Sequence, residues 1–409
     1  MKSNILKNIF ILIIIIVFII AFSSSYASLS IDNLAYVLAI GIDTAQDNNL
    51  EVTFQFSSAA PPSESGSVEK TPTYINSVKA SSLSNAINMI NSYLGKQINM
   101  SHCKVIIFSE ELAYQGISDE IYTLINDTQV RPSSNIIVSK CDAKYYIEQT
   151  EPELENLISK YYEILTNSSK YTGYMPDSTI GDFFNSMICK TCQPYAILGG
   201  INEPNSETNS STDDALKDSN IKSGETPIEG ENGSENIGVA VFKQDKLVGE
   251  LNALETISFL TIKNDVDRFL VSVPDPINKG KYLDIYFSPS NSSTIKVDTL
   301  NSSPYIHVDI KLTGRIYSMS DNADYLTSEV LDAISNSCNS YLESTFSDFL
   351  YKTSKEFKSD INGLGKYALS NFANTQDADD YNWLDNYQNA FFDVKVNTSV
   401  KSSMLITET

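Results

Sequence analysis

One segment constrains this chain before any other. An unbroken apolar run from Ile9 to Phe22 follows Lys2 and Lys7, and Ser23-Ser24-Ser25-Tyr26-Ala27 comes directly after it. A positively charged start, an apolar middle and a small-residue exit are the parts of a secretory signal. The run is shorter than the roughly 20 residues that cross a bilayer comfortably. Two outcomes stay open: cleavage after Ala27, or an uncleaved anchor over residues 1–27 that extends through the serines. A buried core helix does not fit, because the run has no polar face. No later segment is apolar and long enough to span. Everything after residue 28 is therefore expected on one side of a membrane, outside the cytoplasm.

Charge narrows the function classes next. The 409 residues carry 29 Lys+Arg against 51 Asp+Glu, a net charge of −22. Such a surface repels phosphate, which argues against nucleic-acid binding and against a basic patch for anionic lipid. The only histidines are His102 and His307, so most histidine catalysis and most zinc sites are removed. Five cysteines are too few for a disulfide scaffold. Hydrophobic residues make up 42 %, enough for sizeable cores.

Periodicity predicts a mixed α/β (α+β) chain of several domains. Ala35–Ile42 and Leu50–Ser57 read as a hairpin around the turn formers Asp43 to Asn49. Ser82–Leu94 reads as an amphipathic helix with Leu83, Ala86, Ile87, Ile90 and Leu94 on one stripe, capped by Ser82 and stopped by Gly95. Apolar strands at Lys104–Phe108 and Asn135–Ser139 alternate with helices, including ones at Asp142–Gln149 and Glu153–Leu165, so a sheet covered by helices is expected. Residues 201–236 are rich in Ser, Asn and Glu without apolar period and read as a flexible acidic insertion. A middle β-rich domain over 237–300 and a C-terminal α/β domain over 301–409 complete the reading, with the N-terminal α/β domain at 28–200. The last part holds a long helix from Asp324 to about Glu356, a break at Ile361–Gly365, a helix Lys366–Ala373, and a strand from Phe391 to Ile406 with Val394, Val396, Thr398 and Val400 on one face.

No catalytic, cofactor-binding or metal-binding residue is assigned. Cys189-Lys-Thr-Cys192 lacks the second pair a metal site needs and reads as a lone disulfide or two incidental thiols. The sequence leaves open a second bridge between Cys103 and Cys141. Adjacent His102 and Cys103 point to opposite faces of a strand and cannot easily engage each other. His307 falls on the polar face of a strand. Asp43 and Asp47 read as turn formers rather than calcium ligands, since the glycine and terminal glutamate of an EF-hand loop are missing. Gly363-Leu-Gly365 is too short for a phosphate cradle and reads as a helix break. Asn167, Asn232 and Asn291 head Asn-x-Ser/Thr triplets that follow from Asn/Ser richness. The 23 tyrosines suit a contact-making surface.

Six segments stand out in order: Tyr36–Asp43 with Val52–Phe56, Ser101–Ala113 with Gly116-Ile117, Arg131–Val138, the Gly238–Gly249 hairpin, Asp360–Gly365, and Trp383 followed by Phe391–Thr398. Together they resemble the C subunit of bacterial spore germinant receptors, the Ger(x)C family. The resemblance implies a three-domain, non-enzymatic protein without cofactor on the outer face of the spore inner membrane. It would work beside A and B membrane subunits and take no small molecule itself. Members are typically lipoproteins, but Ser23 to Ser30 contains no cysteine to lipidate. The other reading is an exported solute-binding protein that captures a small germinant directly. Mass spectrometry of the membrane-bound chain separates the two N-terminal outcomes: an intact Met1 marks an anchor, and a start at Ser28 marks retention by partners.

Overall fold

The computed structural model describes residues 7, 10–16, 18, 33–57, 72–202, 220–300, 302–318 and 327–401. The apolar run supplies a first helix, α1, described over residues 10–16 with all of these side chains exposed. No described helix is long and apolar enough to cross a membrane. The cleavage point expected at Ala27 lies outside the described residues.

The chain then runs β1 (Leu34–Ala45), β2 (Asn49–Ser57), β3 (Thr73–Ala80), α2 (Leu83–Leu94), β4 (Gln97–Asn99), β5 (Val105–Ser109), α3 (Glu110–Gln115), α4 (Ser118–Asn126), β6 (Asn135–Ser139) and α5 (Ala143–Glu148). It continues through α6 (Ile158–Ile164), α7 (Ser169–Thr172), α8 (Ile180–Met187), β7 (Tyr195–Ile201), β8 (Ser234–Lys243) and β9 (Lys246–Leu251). These strands form a nine-stranded sheet in the order β3-β2-β1-β5-β6-β7-β8-β9, with β4 beside β1. The centre is parallel, from β1 through β5 and β6 to β7, and both flanks are antiparallel. Parallel strands need cover on both faces. Leu83, Leu112, Ile121, Leu124 and Phe183 supply it on one side, and Ala143, Tyr146, Ile147 and Tyr162 on the other.

A second sheet follows the helix α9 (Ala253–Lys263). Its strands are β10 (Phe269–Pro274), β11 (Tyr282–Pro289), β12 (Thr294–Leu300) and β13 (Ser303–Ser318). Helix α10 (Ser328–Tyr351) comes next, then α11 (Gly365–Ala368), α12 (Thr375–Tyr381), α13 (Trp383–Asn386) and β14 (Phe391–Lys401). β11 and β12 pair with successive halves of β13, and β14 runs parallel along its other side. α9 is apolar on most sides and correspondingly buried between the sheets. Asn252 and Glu255 close a reciprocal capping box at its start.

β14 leaves a strand edge that α10 covers. The amides of Val396, Thr398 and Val400 donate to Glu343 Oε1 (3.0 Å), Asn339 Oδ1 (2.7 Å) and Ser335 Oγ (3.2 Å). Acceptors four residues apart on a helix thus meet amides two residues apart on a strand. The edge is denied to other chains.

The elements expected at α2 and β14 form as predicted. Ser82 caps α2, Gly95 ends it at φ 64°, and Val394, Val396, Thr398 and Val400 are buried. Other boundaries move. β1 runs on through Asp43, leaving only Gln46–Asn48 as the turn, because the Asp43 carboxylate has a buried partner. The helix expected at Glu153–Leu165 starts only at Ile158, while Glu153 instead accepts the amides of Glu231 and Asn232. The helix expected at Lys366–Ala373 is α11 followed by a 3-10 turn, Leu369–Asn371. The long helix ends at Tyr351 and passes into a π-helical turn, Lys352–Phe357.

The 201–236 reading also needs correction in its second half. Residues 203–219 lie outside the described residues, but 220–233 are tied down. Ser223 Oγ donates to Leu198 O (2.7 Å), and Glu235 accepts the amide of Glu225 (3.1 Å). Polarity there serves specific tertiary partners. The expected 237–300 and 301–409 units do not coincide with the sheets either: β8 and β9 extend the first sheet, and the strands from 269 to 318 share a sheet with β14.

Replacing Asn339 by Ala leaves the Thr398 amide without its acceptor. A loss of ~1–3 kcal/mol is expected in urea unfolding. Asn339→Asp, which keeps an acceptor, is expected to recover most of it.

Candidate functional site

A cluster of long-range polar contacts lies where the two sheets meet, around Ser359–Gly365. Asp360 is fully buried there. Its Oδ1 accepts the Leu364 amide (3.0 Å), and its Oδ2 accepts the Gly365 amide (2.9 Å) and the indole N–H of Trp383 (2.8 Å). Its carbonyl accepts the amide of Gln193 (2.9 Å), whose own side chain accepts the Gln244 amide. Ser359 Oγ donates to Phe242 O in β8, and Asn362 Nδ2 donates to Phe259 O in α9 (3.1 Å). One short loop therefore grips the first sheet, the central helix and the C-terminal helices together.

Two glycines make that loop possible. Gly363 sits at φ 64°, in the left-handed region. At Gly365 a Cβ would come within 2.5 Å of the Trp383 ring and 2.7 Å of Thr191 O. The expected helix break is thus a place where an indole and a backbone approach too closely for any side chain.

The other residues singled out from sequence are dispersed. Cys189 and Cys192 form a disulfide, with Cα atoms 5.5 Å apart, and Gln193 follows it directly. Cys103 and Cys141 are both free thiols, so the second bridge left open by the sequence is not made. Cys103 is buried and donates to Val105 O, and burial pushes its thiol up to about 12. His102 stacks edge-on against Tyr36 at 4.9 Å, away from that thiol. Asp47 lies in the β1–β2 turn at φ 59°. Asp43 receives the amides of Ala143 (2.6 Å) and Lys144 (3.0 Å), closing the start of α5. His307 Nδ1 meets Asp393 Oδ2 at 3.0 Å on the open face of the second sheet. Asn232 is used internally, accepting the Glu151 amide (3.0 Å). Some tyrosines, such as Tyr146, Tyr162 and Tyr387, are core residues, while Tyr74, Tyr93 and Tyr317 are exposed.

Sequence reasoning did not find the Asp360–Trp383 pair, nor Lys263. The Lys263 amine donates to the Tyr195 hydroxyl, and burial pushes it down to about 8. An acidic residue ahead of a Gly-x-Gly, with one tryptophan downstream, was the signal available for the pair. No group of three or more His, Cys, Asp or Glu placed to hold a metal occurs among the described residues. The buried carboxylates are engaged by N–H donors, and the arrangement around Asp360 holds elements together rather than presenting a reactive group.

Two family models match the chain in order. Residues 28–198 match the spore germination protein N-terminal domain, and residues 237–404 match the spore germination B3/GerAC-like C-terminal region. The chain belongs to the GerAC family of spore germination proteins. Spore germination protein KC of Bacillus subtilis (strain 168) is 22 % identical over 346 residues, covering 81 % of this chain and 80 % of that protein. The crystal structure of the GerBC protein has the same fold, with a TM-score of 0.51 at 16 % identity over 88 % of this chain and 96 % of that one. In this GerAC-family chain the two matched regions are joined by strand pairing, since β7 closes the first and β8 opens the second.

Burial pushes the Asp360 carboxyl up from 3.8 to about 6, against the N–H donors that pull it down. The folded protein then holds this proton more tightly than the unfolded chain does. Its contribution to stability is full below about pH 4 and is lost as pH rises through about 6. In thermal melts, Asp360→Asn is expected to lower Tm at every pH. It should also flatten the fall in Tm between pH 4.5 and 7 relative to the unmodified protein. Gly365→Ala, which overfills the Trp383 contact, is expected to cost ~1–3 kcal/mol by denaturant unfolding.

Proposed function

We propose that this chain is a non-enzymatic subunit of a nutrient germinant receptor. It sits on the outer face of the spore inner membrane and acts by contact with A and B membrane subunits. The observation that carries this reading is the ordered match of both family regions across residues 28–198 and 237–404. The apolar α1 supports a membrane location, because residues 10–16 expose only large apolar side chains and water does not favour such a stretch. The buried titratable groups Asp43 and Asp360 support a contact role, as their carboxylates are already taken up by backbone N–H donors. The exported body would then present broad surfaces to its neighbours, as subunit interfaces do.

Deleting the gene together with its paralogues is expected to abolish germination in response to at least one nutrient. The tagged full chain is expected to co-purify with A and B subunits from spore inner membranes. Normal germination in that strain, or recovery of the folded body in the cytosol, would overturn the reading. Nutrients alone are expected to leave the Tm of the full chain unchanged, whereas a ligand at a hundred times its Kd would add about 2.7 kcal/mol.

A further inference from the structure

The second sheet has one covered face and one open face. Along β13, Ile306, Val308, Ile310, Leu312 and Ile316 point into the core, while Lys311, Arg315 and Tyr317 point outward. Register extends the outward set sideways. Tyr286 of β11 lies opposite Arg315, and Lys401 of β14 lies opposite it on the other side. The Arg268 guanidinium stands 6.0 Å from the Tyr286 ring and 5.9 Å from that of Tyr171. Tyr317 packs edge-on against Tyr286 at 5.1 Å and remains 70 % exposed.

This corner is chemically unlike the rest of the molecule. The chain has three arginines, Arg131, Arg268 and Arg315, and two of them stand here. Among the described residues, none of Arg268, Lys311, Arg315 and Lys401 forms an ion pair. Asp284, Asp298, Asp309 and Asp393 share this face, and Asp309 stands only two residues from Lys311, but among the described residues none of them forms an ion pair with the four cations. Asp284 accepts from Ser272 (2.6 Å), and Asp393 pairs with His307 toward the opposite end. Four unneutralised cations framed by tyrosines thus interrupt a chain of net charge −22.

We infer that this cationic, aromatic corner of the second sheet rests on the anionic phospholipid headgroups of the membrane that holds the chain. The inference rests on the membrane location given under Proposed function. A tethered body this acidic is repelled by an anionic bilayer through almost every face, so the unneutralised cations set which face turns down. Arg and Lys reach phosphate oxygens while their stems lie along apolar material, and tyrosine rings settle at headgroup depth. The outward side chains of neighbouring strands form a broad pleated surface suited to a lipid plane, and the hollow lined by Lys296, His307, Asp309 and Asp393 lies toward the other end of the same face. Overall charge argued against such a patch. The register of β11, β13 and β14 assembles it, together with Arg268 just ahead of β10, from segments distant in sequence.

The test uses the full chain reconstituted without partner subunits, in vesicles of phosphatidylcholine alone or with about 30 % phosphatidylglycerol. Amine-reactive labelling of Lys311 and Lys401 is read by mass spectrometry, with the exposed Lys79 and Lys190 as internal references. Labelling of Lys311 and Lys401 is expected to be at least about threefold slower in the phosphatidylglycerol vesicles. Protection should vanish in about 0.5 M salt. Arg315→Glu, and separately Arg268→Gln, should weaken it while leaving the melting curve in place. Equal labelling in both vesicles overturns the inference. So does protection that appears only in spore membranes containing the other subunits, which would assign the corner to a protein partner. Because the vesicles contain no receptor, this result is independent of the germination and co-purification tests.

Discussion

A single buried carboxylate decides how the two sheets of this molecule sit together. Asp360 gathers two amides of its own loop and the indole of Trp383, and its backbone receives Gln193 from the strand side. A carboxylate removed from water needs such donors, since leaving one uncompensated costs several kcal/mol. Trp383 and Gln193 come from segments otherwise unrelated to this loop, and satisfying Asp360 fixes their positions against it. The neighbouring Ser359 and Asn362 tie the same loop to β8 and to α9. With Gly365 set flat against the indole, the loop has little freedom to rearrange.

How far this could be seen in the sequence depended on the range of each interaction. α2 was legible because its cap, stripe and stop lie within fourteen residues, Ser82 to Gly95. β14 was legible because alternation is local to the strand. The Cys189–Cys192 bridge was within reach because its partners are three apart. Asp43 was misplaced into a turn because its partner, Ala143, lies 100 residues on. The grip of Ser359 on Phe242 spans 117 residues, and nothing in either neighbourhood announces it. The 220–233 segment looked solvated for the same reason: its Ser, Glu and Asn side chains are spent on contacts with strands and loops far away. Family resemblance found the Asp360–Gly365 motif without its purpose, which only the packed indole reveals.

Electrostatics follows the same division. Net charge is a sum and says nothing of arrangement. The acidic residues are spread over strands, loops and helices, whereas Lys311, Arg315 and Lys401 come to one corner, beside Arg268, because pleating and register align alternate residues of neighbouring strands. The side of that sheet facing α10 is almost wholly apolar, with Thr398 the polar residue of β14 on it, so the charged residues of β13 had only one face on which to accumulate. The comb of Ser335, Asn339 and Glu343 along β14 closes the sheet laterally, which leaves that open face as its principal accessible surface.

The pairing of β7 with β8 carries a further implication for how this chain can vary. Ile201 lies directly opposite Ser234, so the connection between the two strands begins and ends at adjacent points. The cost of closing such an excursion grows only with the logarithm of its length. Added length here costs little in itself, provided that 220–233, held by Ser223 and Glu235, is left intact. The gap between the two family matches, from 198 to 237, falls at this place. An epitope placed ahead of residue 220 would leave the strand pairing of both sheets in place.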